Sequence, residues 1–187
     1  MQFVEGCFYH IYNRGNDKRR IFFADRNYVF FLEKVRKYIM NNSDVICWCL
    51  MPNHFHFLVQ ANEQSVKYIR ESPLKINALT EGIRMLLSSY TKAIQKQEQI
   101  TGNLFQQKTK SKLVDQYIDH AFHYIHQNPI RANLVKKIED WPWSSFTEYS
   151  NPVKNPICNR EIASNFVDLN TEQFVRDSYS LIPDNFL

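Results

Sequence analysis

Apolar and polar residues alternate over Cys7–Arg14 (CFYHIYNR), with Phe8, His10 and Tyr12 on one side and Tyr9, Ile11 and Asn13 on the other. A period of two with aromatic and β-branched content predicts a strand. Gly15-Asn16-Asp17 break it, and Lys18-Arg19-Arg20 form a basic loop. The period then changes. Tyr28, Phe31, Leu32, Val35 and Ile39 recur three and four apart, which predicts an amphipathic helix capped by Asp25. Val45–Leu50 and His54–Gln60 read as two further strands. Pro52 between them lacks a ladder N–H, so Met51-Pro52-Asn53 is a hairpin turn.

Residues 61–78 are polar, contain Pro73, and read as a loop with room for a short helical turn. Leu79, Ile83, Leu86, Leu87, Tyr90 and Ile94 mark a second amphipathic helix to about Gln97. Leu104–Val114 places Lys108, Lys110 and Lys112 at period two, a strand with one basic face. Asp115 is the expected cap of a third helix, 116–128, ended by Pro129. Further on, only 171–178 reads as a helix.

The first six elements give the order βαββαβ, the ferredoxin-like, split βαβ pattern. The expected fold is therefore α+β: an antiparallel sheet with its helices on one face, then a C-terminal helix and a tail. With 187 residues the chain is expected to form one domain with an appendage. Only 4 residues are Gly, and neither GxGxxG nor GxxxxGK occurs, which argues against the common nucleotide-binding loops. The four cysteines form no CxxC pair, and no apolar run is free enough of polar residues to suit a membrane. A reduced, cytoplasmic protein is expected. The net charge of +4 conceals a division: residues 1–137 carry 20 Lys+Arg against 11 Asp+Glu, and 138–187 carry 3 against 8. A basic body with an acidic tail fits either a polyanionic partner or a solvated surface of mixed charge.

His54 and His56 are the sharpest chemical feature. Residues i and i+2 of a strand share a face, so both imidazoles project together. They could ligate a divalent metal, or be two ordinary hydrogen-bonded histidines. Tyr124 and Asn128, four apart, share one face of the third helix. Tyr124 is a candidate nucleophile or a core-edge aromatic, and the Asn128 carbonyl oxygen is a candidate third ligand. His126 falls on a different helix face. His10 would join the site if its strand is central.

These residues carry a resemblance. YHIYNRGND (9–17), WCLMPNHFHFLV (48–59), SSYTKAI (88–94), GNLFQQKTKS (102–111), HYIHQNPIRANLV (123–135) and WPWSS (141–145) resemble segments of the HUH-type single-tyrosine transposases, in particular the REP-associated branch. They run in order over about residues 8–146, so 1–146 is expected as a transposase-like catalytic domain and 147–187 as a C-terminal extension. The resemblance implies that His54, His56 and Asn128 hold a divalent ion, Mg²⁺ or Mn²⁺, and that Tyr124 is the nucleophile. It implies cleavage and rejoining of single-stranded DNA beside a hairpin through a 5′-phosphotyrosine link, by a monomer or a homodimer. Arg14, Lys18, Arg19, Arg20, Lys108, Lys110, Lys112 and Arg131 are the expected DNA contacts. The rival expectation is a domesticated module that binds structured DNA or RNA without turnover. The acidic extension is expected either to lie over the DNA surface or to pack on the domain.

Overall fold

The computed structural model describes residues 1–70, 75–151, 153–180 and 182. Its main sheet is built from β1 (Phe8–Arg14), β2 (Asp44–Met51), β3 (His54–Gln60) and β6 (Lys110–Leu113). The spatial order is β2-β3-β1-β6, and every neighbouring pair is antiparallel. Between β1 and β2 runs α1 (Asp25–Tyr38), and between β3 and β6 runs α3 (Ala78–Glu98). The α+β expectation is borne out, and β1 and β3 are the two central strands.

The two sheet faces have different chemistry. Phe55 and Phe57 of β3 project towards α1, where Phe31 packs on both at 5.4 and 6.3 Å between ring centroids. Tyr90 of α3 meets Phe31 edge-on at 4.9 Å. Burying each such ring contributes about 1.5–3 kcal/mol, so this layer holds the sheet. Gly82 lets the two helices close: a Cβ there would meet the Tyr38 carbonyl oxygen at 2.3 Å. On the opposite face lies α4 (Ile118–Arg131), across β2 and β3. The outer edge of β2 is covered by residues 141–145, where Leu50 N–H donates to the Trp143 carbonyl and Trp141 Nε1 to the Leu50 carbonyl.

Several boundaries differ from the pattern-based expectation. The 61–78 segment is not a plain loop: it contains α2 (Glu63–Val66) and a small hairpin of β4 (Tyr68–Arg70) and β5 (Ile76–Asn77). Pro73 lies outside the described residues. Asp25 is the first residue of α1 rather than its cap. Asn27 Oδ1 instead accepts from the N–H groups of Phe23 and Ala24. The strand expected over 104–114 shrinks to β6, because the Asn13 amide binds the Gln106 carbonyl and Thr109 Oγ1 and the chain bows out. Asp115 does not cap α4, whose first flanking residue is Tyr117; its carboxylate accepts from Phe8 N–H at 2.6 Å.

The C-terminal part joins the same core. It comprises α5 (Phe146–Ser150), α6 (Arg160–Ala163) and α7 (Thr171–Ser178), the last of these as the pattern predicts. Phe174 of α7 is buried and stacks on Phe146 at 5.0 Å, with Phe122 of α4 at 6.2 Å. Phe174 therefore packs against the side of α4 that faces away from the paired histidines, while the Ile182 carbonyl reaches Arg131 at the end of α4.

Candidate active site

The site is made by strand register. Tyr12 lies opposite His56, Arg14 opposite His54, and Lys110 opposite Tyr12. Residues directly opposite share a face, so His54, His56, His10, Tyr12, Arg14, Lys110 and Lys112 all stand on the α4 side. Alternation of period two within each strand selects them, and the order of the strands gathers them. The rings of His54 and His56 are 5.0 Å apart, and Tyr124 lies 6.4 Å from His56 in the same chain. A cavity of about 380 Å³ is lined by Tyr12, Arg14, His54, His56, Lys108, Lys110, Tyr124 and Asn128 among others.

Asn128 is locked by an unusual stretch of helix. Pro129 lies inside α4 rather than ending it, and the helix runs on to Arg131. A proline has no N–H to give the carbonyl four residues back, here Ile125. The Asn128 amide takes that place, donating to Tyr124 O at 2.9 Å and Ile125 O at 3.4 Å. Its NH₂ group is thus spent on the backbone, and Oδ1 is left for the cavity.

His54 is fixed in a complementary way. Its Nδ1 is 2.6 Å from Asn53 Oδ1, an acceptor, so Nδ1 carries the proton and Nε2 keeps its lone pair. Burial and the neighbouring Arg14 charge hold its pKa down at about 4, and its ring is within reach of the Asn128 side chain. His56 is buried, its pKa is pushed well below the ordinary value by burial, and Nε2 has no hydrogen-bond partner among the described residues. Its Nδ1 is 2.8 Å from His10 Nε2. Two neutral imidazoles, one of them with an orphaned buried nitrogen, and an amide oxygen bordering one cavity form a donor set that fits a divalent cation of borderline or hard character.

The other expected site residues divide by position. Lys108 and Lys110 line the cavity although Lys108 lies outside any strand, and Lys112 stands beside them on β6, opposite His10. Arg14 reaches the cavity with a buried Nε that lacks a partner among the described residues. Lys18, Arg19 and Arg20 are exposed on the loop after β1. That loop is tied to the His54 end of the sheet, since Gly15 N–H donates to the Asn53 carbonyl and Asn53 Nδ2 to the Lys18 carbonyl. A Cβ on Gly15 would meet the Arg19 carbonyl oxygen at 2.1 Å, so glycine is required there.

Arg131, another expected DNA contact, is the last residue of α4. Its guanidinium lies 5.1 Å over the Tyr124 ring and donates to Gln127 Oε1 and, through both Nη atoms, to the Ile182 carbonyl. His126 is fully buried against Phe122, with Nε2 at 2.8 Å from Ser145 Oγ, and takes no part in the cavity. Trp48 and Phe105 are core residues.

Paired strand histidines facing a tyrosine helix are the architecture that the sequence resemblance implies for HUH-type single-tyrosine proteins. No family model matches the chain. A 106-residue segment is 30% identical to a REP-associated tyrosine transposase of Haemophilus influenzae, covering 55% of this chain and 58% of that relative's length. The fold matches that of a REP-associated tyrosine transposase solved bound to a REP hairpin, with a TM-score of 0.61 and 17% identity over 84% of this chain and 87% of that one. The chain is thus similar in sequence, over just over half of that relative's length, to a REP-associated tyrosine transposase, and over most of its own length it shares the fold of the solved one.

Proposed function

We propose that the protein is a divalent-metal-dependent endonuclease and strand-transferase that cuts single-stranded DNA beside a hairpin. One observation carries this reading: His54, His56, Asn128 and Tyr124 of a single chain border one cavity with an open basic flank. Tyr124 Oη would attack the scissile phosphorus in line, forming a phenolic P–O bond as the 3′-oxygen leaves and takes up a proton. The product is a 5′-phosphotyrosine and a free 3′-hydroxyl. Attack on that phosphotyrosine by another 3′-hydroxyl is the same displacement in reverse and restores the phenol, so the energy of the phosphodiester is conserved.

His54 Nε2, His56 Nε2 and Asn128 Oδ1 would hold the cation. Bound Mg²⁺ or Mn²⁺ supplies Lewis-acid polarisation of the phosphate. Arg131, held over the Tyr124 ring, would place a positive charge beside the scissile phosphate. Lys108, Lys110, Lys112 and Arg14 would follow the DNA backbone into the cavity, and Lys18, Arg19 and Arg20 would extend that path. The histidines and tyrosine converge within one chain, so a monomer is sufficient for the chemistry. Hairpin DNA is proposed as the substrate because the solved neighbour binds a REP hairpin.

A nicking assay tests this. End-labelled single strands bearing hairpins from the source genome are incubated with the protein and Mn²⁺ or with EDTA. The expected result is Mn²⁺-dependent cleavage that Tyr124→Phe abolishes. Tight hairpin binding without cleavage by the unaltered protein would instead support a non-catalytic binding module.

A further inference from the structure

His10 has no role in the chemistry above, yet it is one of the most constrained polar groups in the protein. It is 2% exposed on central strand β1. Its ring lies edge to edge with that of His56, nearly coplanar at 19° with centroids 5.0 Å apart, and the Tyr12 ring lies 4.7 Å from it. Its Nε2 is 2.8 Å from His56 Nδ1, while its Nδ1 is buried without a partner among the described residues. Leaving a buried polar atom unpaired costs about 1–3 kcal/mol, a cost that an apolar residue at this position would avoid.

The hydrogen bond can run in two directions, with opposite consequences. If His10 donates, His56 carries its proton on Nε2 and presents a donor to the cavity, suited to a phosphate oxygen. If His10 accepts, His56 carries its proton on Nδ1 and presents a lone pair. Asn53 already forces the lone-pair form on His54, and the locked amide forces an oxygen from Asn128. A third donor of the same kind completes a cation site, whereas an N–H would oppose one. Metal-binding histidines are commonly oriented through their second nitrogen by a carboxylate or backbone carbonyl. Here that partner is another imidazole.

We propose that His10 is a positioning residue: by accepting the Nδ1 proton of His56 it fixes the tautomer whose Nε2 binds the divalent cation. This rests on the metal-dependent reading of the site. Two measurements separate them. Long-range ¹H–¹⁵N spectra of the metal-free protein report the tautomer directly, and the expected signature is His56 protonated on Nδ1 and His10 on Nδ1. Mn²⁺ titration followed by electron paramagnetic resonance, without DNA, reports affinity. His10→Leu is expected to weaken Mn²⁺ binding roughly 10–100-fold, the range for outer-shell partners. His10→Gln, whose amide oxygen can accept, is expected to restore most of it.

A His56 resonance protonated on Nε2 would overturn the proposal even if the variants fail to fold. So would a folded His10→Leu variant that binds Mn²⁺ like the unaltered protein. If the unaltered protein binds no Mn²⁺ at all, the metal reading fails, while the spectra still decide which way the His10–His56 bond runs.

Discussion

Replacing Phe174 with alanine tests whether the C-terminal segment is a structural layer of the body built on the main sheet. Phe174 is 1% exposed. Its ring is surrounded by Phe146 at 5.0 Å, Tyr149 at 5.8 Å, Phe122 at 6.2 Å and His126 at 6.4 Å. Truncating a buried Phe to Ala costs about 3–5 kcal/mol through lost burial and the cavity left behind. For a chain of this size each kcal/mol shifts Tm by roughly 2–4 °C, so a fall of roughly 6–20 °C is expected. Circular dichroism and tryptophan fluorescence should report one coincident transition, since Trp48 of the sheet donates to Glu148 of α5. The exposed neighbour substitution Glu172→Ala should leave Tm within about 2 °C. The Ser178 and Ser180 carbonyls hold Gln127, and the Ile182 carbonyl holds Arg131 beneath Tyr124. Nicking by Phe174→Ala should therefore fall at temperatures where most of the protein is still folded. A Tm change under about 2 °C, or separate melting of tail and sheet, would refute the reasoning.

Two further outcomes follow from charge and burial. In metal-free protein, burial depresses His10 to about 3 and His54 to about 4, against an ordinary value near 6.5 in the unfolded chain. The unfolded state then binds more protons, so stability is complete above about pH 6.5 and is lost as pH falls towards those folded-state values. These two residues alone should give a slope of roughly 2–3 kcal/mol per pH unit between pH 6 and 5, and urea titrations showing a flat profile there would contradict it. Lys108→Ala and Lys110→Ala should each lower the salt dependence of single-strand DNA affinity by about 0.7 in log–log slope; an unchanged slope would remove these lysines from the DNA path.

Much of this architecture is written in local pattern. The alternation of His54–Gln60 and the helical spacing around Phe174 give those elements directly, because burial on one face selects the residues. What failed to read locally was settled by partners distant in sequence. Pro129 signals a helix end, but Asn128 serves the carbonyl the proline leaves unpaired, and the helix continues. Asp115 has the makings of a cap, but Phe8 takes its carboxylate across 107 residues. The paired histidines were legible because strand period alone puts them on one face. His10 shares that face only because β1 pairs with β3, a fact of strand order. The basic side chain of Arg131 was legible, but the Ile182 carbonyl it binds was not, because only the packing of the tail on α4 brings that carbonyl to it.

The central claim is that Tyr124 is the nucleophile of a hairpin-directed strand transferase. The most direct test is to incubate the full chain with a hairpin-bearing single strand and Mn²⁺, trap the covalent product by denaturation, digest it and map the adduct by mass spectrometry. The account predicts a 5′-phosphotyrosine at Tyr124 that is lost in Tyr124→Phe and in the absence of the cation. An adduct on another residue, or cleavage undiminished in Tyr124→Phe, would contradict it.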